Sequence, residues 1–186
     1  MANVSLVDAP RGIIPRLAVS YSRRRFGKEV QPVRAAAHHA GVLVAAGLVE
    51  TAAEKGWNKL DRHLALLACQ AASSAIGCSW CIDYGYYESL QRGQEPAKVR
   101  DVPRWRESTA YTDKERAALE YAEGASATPA VISDDLVQRL HQHFSEEEIV
   151  ELAAWVALEN YRSRFNAGLG LRSQGFSDSC KVPVSA

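Results

Sequence analysis

No apolar run in this chain approaches the ~20 residues that a membrane span needs. Gly12-Ile13-Ile14 and Leu17-Ala18-Val19 are too short, and too interrupted by Pro15 and Arg16, to form the apolar region of a signal peptide. A cytoplasmic protein with no membrane partner is expected. Net charge is missing too: 22 Lys and Arg offset 22 Asp and Glu. That balance gives no electrostatic reason to expect nucleic acid as a partner. Cysteine is scarce, and four in 186 residues are too few for a disulfide scaffold. Zinc is disfavoured because Cys69 and Cys180 form no second pair and no His-x₃₋₅-His spacing completes a finger. His141 and His143, two apart on a presumed helix, point in different directions. No metal and no cofactor is expected. Sustained apolar/polar alternation bounded by hairpin turns is also absent, which argues against sheet.

What is present reads as one helical domain. A composition of 47% hydrophobic and 24% charged residues suits an ordinary globular chain long enough to bury a core. Pro32 can open a helix running through Val33, His38, Val42 and Val49 to a stop at Gly56. A second spans about Asp61 to Ile76, and a third runs from near Cys78 to about Gln91, with Gly93 as its stop. The segment from Gln94 to Tyr111, with Pro96 and Pro103, reads as a connection with one short helical turn. Thr112-x-x-Glu115 and Ser145-x-x-Glu148 fit capping boxes, and Ser133 with Asp134 and Asp135 starts a further helix. The helix from Ser145 places Ile149, Leu152, Ala153 and Val156 on one stripe, and a Gly/Ser-rich tail follows Gly168. The expected architecture is an all-α bundle of six to eight helices, with residues 1–31 as an N-terminal arm and 32–186 as a single helical domain. Basic residues (Arg11, Arg16, Arg23, Arg24, Arg25, Lys28, Arg34) crowd the arm, while acids dominate from Glu107 to Glu151. Two solvated faces explain this, and an arm docking on an acidic face of another subunit is the sharper version.

The chemistry-bearing stretch is Gly77-Cys78-Ser79-Trp80-Cys81-Ile82-Asp83-Tyr84-Gly85. A Cys-x-x-Cys pair opening a helix can cycle between dithiol and disulfide, because amide N–H groups and the dipole stabilise a thiolate there. On a helix the two cysteines stand at i and i+3 on one face, close enough to bond. Two buried packing cysteines are the plainer alternative.

With the Ala/Leu helix before it and the late Glu159-Asn160-Tyr161-Arg162-Ser163-Arg164-Phe165-Asn166 segment, this motif resembles the carboxymuconolactone decarboxylase and alkylhydroperoxidase D-like family over residues 32 to 180. The resemblance implies an all-α fold that assembles into homo-oligomers. In members with the full motif it also implies a thiol-dependent peroxidase. There the second cysteine, here Cys81, attacks the peroxide, and the first, Cys78, resolves the sulfenic acid. A thiol reductant protein then restores the dithiol. The family pattern also has a glutamate twelve residues before the first cysteine and a histidine four after the second. Here those positions are Leu66 and Gly85. Losing both removes the groups that activate the thiol and protonate the leaving alkoxide, help worth roughly 10²–10⁴ in rate. Weak peroxidase activity follows as the expectation, and lactone decarboxylation is disfavoured.

Tyr84 and Glu88 share the helical face of Cys81 and are candidate substitutes. Asp83 falls elsewhere, where the helix dipole alone explains an acid. Glu159 and Asn160 continue the buried stripe of the last helix, with Arg164 the expected partner of Glu159 or Glu88. His38, His39 and His63 read as surface or satisfied residues. The catalytic candidates are therefore Cys78, Cys81, Tyr84, Glu88 and Glu159, acting on a small hydroperoxide or disulfide. A non-peroxidatic binding or enzymatic member of the same fold is the competing reading.

Overall fold

The computed structural model describes residues 2–179. Among them every regular element is helical. The α-helices are α1 (Ile13–Phe26), α2 (Gln31–Ala36), α3 (Ala40–Gly56), α4 (Arg62–Ile76), α5 (Ser79–Gln91), α6 (Pro96–Asp101), α7 (Asp113–Ser126), α8 (Asp134–His143) and α9 (Glu146–Gly168). Short 3₁₀ turns occupy Val102–Arg104 and Ser177–Ser179.

α4 is the hub because its sequence is apolar nearly all round. Leu64, Ala65, Leu67, Ala68, Ala71 and Ala72 are all buried. Alanine at the contact positions lets α7, α9 and α5 pack closely on three sides of it. Leu119 of α7, Leu136 of α8 and Leu152 and Val156 of α9 complete the core. Each fully buried Leu contributes about 1.5–3 kcal/mol of burial energy.

The caps stand where the sequence sets them. Thr112/Glu115 and Ser145/Glu148 form reciprocal capping boxes, and the Ser133 hydroxyl accepts the Leu136 N–H at 3.2 Å. One expectation is corrected. The helix expected from Pro32 to Gly56 is two helices, because the His39 ring Nδ1 accepts the Val42 N–H at 3.2 Å and caps a new start at Ala40. The neighbouring His38 Nε2 is held by the Ser5 carbonyl at 2.8 Å. With this break the described residues carry one α-helix more than the upper expected number. The Gln94–Tyr111 connection is also more helical than expected, since Pro96 sits in the first turn of α6. Within residues 1–31, α1 packs on α2 and α3. It leaves Ile13, Ile14, Leu17 and Tyr21 exposed.

Candidate active site

The chain reverses sharply between α4 and α5. Gly77 takes φ 79°, a left-handed conformation that glycine adopts without strain. Its N–H and that of Cys78 both reach the Ser73 carbonyl, at 3.0 and 3.1 Å. Cys78 is thereby the N-cap of α5, and its Sγ accepts the Cys81 N–H at 3.3 Å. Cys78 and Cys81 are joined in a disulfide with Cα atoms 5.3 Å apart. Both are buried. On the far side of the bond, the buried Asn166 of α9 donates its Nδ2–H to Cys81 Sγ at 3.3 Å.

The helix carrying the pair has two different faces. Cys81 meets Asn166 of α9, and Gly85 faces α4, where the buried Gln70 donates Nε2–H to the Ile82 carbonyl at 3.0 Å. A Cβ at position 85 would lie 2.2 Å from Gln70 Oε1, so a glutamine fills the space that a larger residue would need. Leu66, one turn before Gln70 on α4, is buried. The adjoining face, with Trp80, Asp83 and Tyr84, holds the C-terminal segment. Asp83 accepts the N–H groups of Gln174 (2.9 Å), Phe176 (3.1 Å) and Ser177 (2.8 Å) and the Ser177 hydroxyl (2.7 Å). Burial pushes its pKa up, but these donors outweigh burial and hold the carboxyl below the usual aspartate range. Beside it, Trp80 stacks on Tyr84 and donates its indole N–H to Gln174 Oε1 at 2.8 Å. Phe176 packs edge-on against both rings.

The remaining candidates have other partners. Tyr84 belongs to this aromatic cluster, where burial pushes its phenol pKa up. Glu88 lies in an ion-pair group with Arg92 (2.9 Å), Arg62 (3.9 Å) and, through them, Glu54. Glu159 is buried about two turns before Asn166 on α9. It accepts from Ser163 Oγ at 2.7 Å and pairs with Arg162 at 3.2 Å. Burial raises its pKa, an effect only partly offset by Arg162, which is shared with Glu50. The expected Arg164 partnership is corrected. Arg164 donates instead to the Ser126 carbonyl and Thr128 Oγ1, because it points off α9 on the other side from Glu159. Arg162 takes Glu159 and Arg92 takes Glu88. Asn160 donates to Ser126 Oγ and the Val156 carbonyl. His38 and His39 are engaged at the α2–α3 break, and His63 meets the Arg92 carbonyl at 3.2 Å.

Cys69 is free, with Sγ donating to the Trp155 carbonyl at 3.7 Å; burial pushes its thiol pKa up to about 12. Cys180 lies outside the described residues. A cavity of about 380 Å³ lined by Ala35, Ala36, Val42, Phe165 and Leu169 opens at the α2–α3 break, and neither cysteine of the pair lines it. Among the described residues no His, Cys, Asp and Glu converge as metal ligands. No helix there is long and apolar enough to cross a membrane.

Sequence reasoning singled out Cys78 and Cys81 and left Asn166 and Gln70 without a role. A polar residue seven after Glu159, on the same stripe, was the available signal for Asn166.

A capped disulfide on a helix hub of this kind agrees with the comparison to known sequences. Residues 43–124 match the sequence profile described as the carboxymuconolactone decarboxylase family. The Escherichia coli (strain K12) protein YnjA, named as uncharacterized, is 30% identical over 161 residues, which is 87% of each chain. The chain belongs to the carboxymuconolactone decarboxylase family. Solved structures share its fold. A cysteine-to-alanine variant of the debrominase Bmp8, in complex with 2,3,4-tribromopyrrole, superposes with a TM-score of 0.82 at 21% identity, over 95% of both chains. A peroxidase-related protein from Ralstonia eutropha JMP134, described as an alkylhydroperoxidase AhpD core, gives 0.78 at 16% identity, over 93% of this chain and 95% of that one. Identities this low show the family's all-α architecture alone.

Proposed function

We propose that the protein is a thiol–disulfide oxidoreductase whose Cys78–Cys81 pair carries two electrons. The observation that carries this reading is the disulfide itself, spanning the N-cap of α5 with a hydrogen-bond donor on each sulfur. In the reduced form the Cys81 thiolate attacks an electrophilic oxygen or sulfur. With a hydroperoxide, the O–O bond breaks, Cys81 becomes a sulfenic acid, and the alkoxide takes a proton to leave as alcohol. Cys78 then attacks that sulfur, water leaves and the disulfide closes. With a disulfide substrate, one thiolate leaves at each of two exchanges. A partner dithiol, oxidised in turn, restores the pair, as a reducing cytoplasm would allow.

The assembly is a homo-oligomer in this reading, with the exposed stripe of Ile13, Leu17 and Tyr21 on α1 as a candidate buried face. Sedimentation at physiological salt should show no stable monomer.

The turnover test uses dithiothreitol as the reductant and follows consumption of tert-butyl hydroperoxide and of oxidised glutathione. Activity above that of dithiothreitol alone, lost in Cys81→Ser, supports the reading. Activity that survives Cys81→Ser refutes it. The fold shared with a debrominase that holds 2,3,4-tribromopyrrole favours a second reading, a small organic substrate other than a peroxide. Bromide release from that compound by the reduced protein would select it.

A further inference from the structure

Cys69 and Cys81 hydrogen-bond in opposite senses. Cys69 Sγ has the Trp155 carbonyl as its partner, an acceptor that favours the neutral thiol. Cys81 Sγ has the Asn166 Nδ2–H, a donor that favours the thiolate. Hydrogen bonding to the charged form lowers a pKa and bonding to the neutral form raises it. Burial disfavours both thiolates, and at Cys69, where it outweighs the nearby Arg162 and Arg62 charges, the thiol is pushed up to about 12. Asn166 is itself buried and its amide is aimed at the sulfur, so the contact is built into the packing of α9 on α5.

A second carboxamide completes the setting. Gln70 holds the Ile82 carbonyl and fills the space over Gly85, and Leu66 is apolar. One amide thus donates to Cys81 Sγ and a second closes the next turn of α5, and amides can donate hydrogen bonds but neither take up nor release protons near neutral pH.

We propose that Asn166 is the positioning residue that supports the Cys81 thiolate, and that a site built on carboxamides selects disulfides over alkyl hydroperoxides. This rests on the redox reading above. The chemistry is a matter of leaving groups. When the Cys81 thiolate attacks a disulfide, the S–S bond breaks and a thiolate leaves with the electron pair, needing no proton. When it attacks an alkyl hydroperoxide, the O–O bond breaks and a strongly basic alkoxide must be protonated as it leaves, the task of a general acid. Asn166 serves the first reaction, and neither amide serves the second.

The titratable groups on the elements around α5 are committed elsewhere. On α4, Arg62 and His63 lie at its start and Cys69 faces Trp155. On α9, Glu159 pairs with Arg162 and Ser163, about 10 Å along the helix from Asn166. On α5, Asp83 holds the C-terminal segment, Tyr84 is in the aromatic cluster and Glu88 pairs with Arg92. Asp101 of α6 pairs with Arg100, and Asp178, in the last 3₁₀ turn, is exposed.

The test measures second-order rates of the reduced protein with oxidised glutathione and with tert-butyl hydroperoxide from pH 5 to pH 10, each relative to free cysteine. The larger enhancement over free cysteine should be for oxidised glutathione. Asn166→Ala should move the midpoint of that pH profile up by about one unit, lowering the rate at pH 7 about tenfold, with the curves meeting at high pH. Asn166→Asp, which replaces a donor by a charge of the thiolate's own sign, should move it further. Should neither variant fold, alkylation of Cys81 in Cys78→Ser reads the same quantity. Its midpoint should stay near or below the free value of about 8.5 despite burial. An unmoved midpoint in a folded Asn166 variant, a Cys81 midpoint close to that of Cys69, or a greater enhancement with the hydroperoxide would overturn the proposal. Loss of the redox reading looks different: the wild type itself would then show no reversible Cys78–Cys81 oxidation.

Discussion

The two faces of α5 solve the same packing problem with opposite chemistry. The outer face, with Trp80, Asp83 and Tyr84, is closed by a charge: one buried carboxylate gathers four donors from the C-terminal segment. The inner face, with Cys81 and Gly85, is closed by neutral amides from Gln70 and Asn166. A charge inside a protein is stable only when saturated with partners, and a saturated charge has no capacity left for catalysis. Asp83, the acid nearest the cysteines in sequence, is therefore structural, and the groups that surround Cys81 on the inner face are amides that do not titrate.

Removing the outer charge should have the largest effect. Asp83→Ala strands three N–H groups and frees the C-terminal segment, with an expected loss of about 3 kcal/mol in urea denaturation. The pH dependence has a definite sign. The folded pKa of Asp83 lies below its ordinary value of about 3.9. Its stabilisation is fully present above pH ~4 and is lost as pH falls through the folded value. The stability gap between wild type and Asp83→Asn should close over that acid range. A gap that persists unchanged at pH 2 would remove the carboxylate from its role.

The inner face is probed by adding one carbon. Gly85→Ala brings a Cβ onto Gln70 Oε1, so the glutamine must swing away and give up the Ile82 carbonyl. A cost of about 1–2 kcal/mol is expected. In a Gln70→Ala background the same substitution should cost less, and the coupling should appear in a double-mutant cycle. Additive effects would mean that Gln70 does not fill this space.

The smallest effect belongs to Glu159, remote from both faces. Its pKa is raised in the folded state. The unfolded chain therefore releases this proton first, and stability falls as pH rises above about 4.3 toward the folded value. Glu159→Gln should flatten that slope and change stability at pH 7 by less than about 1 kcal/mol. It should leave the Cys81 pH profile unmoved. A shifted Cys81 profile would bring Glu159 into the redox site.

Much of this arrangement is legible in the chain. Capping boxes, the glycine turn and the i,i+3 cysteines are local signals, and local geometry dictates α4, α5, α7, α8 and α9 without reference to the rest of the molecule. The split at His39 was not legible, since an imidazole rarely serves as a helix cap. The partnerships across helices were harder still. Asp83 reads as a first-turn acid until residues about ninety positions later fold onto it. Arg162 and Arg164 are equivalent by type, and only the rotation of α9 separates them. Asn166 meets Cys81 across 85 residues of sequence. Periodicity assigns a residue to a buried face but does not name what it will touch there.

Equilibrium against graded dithiothreitol redox buffers decides whether Cys78 and Cys81 form a working redox couple. Trapping the thiols and mapping the peptides at each ratio should show a reversible two-electron transition confined to Cys78 and Cys81, with Cys69 reduced throughout. A Cys78–Cys81 pair that stays reduced at every ratio, or a transition that involves Cys69 or Cys180 instead, would contradict it.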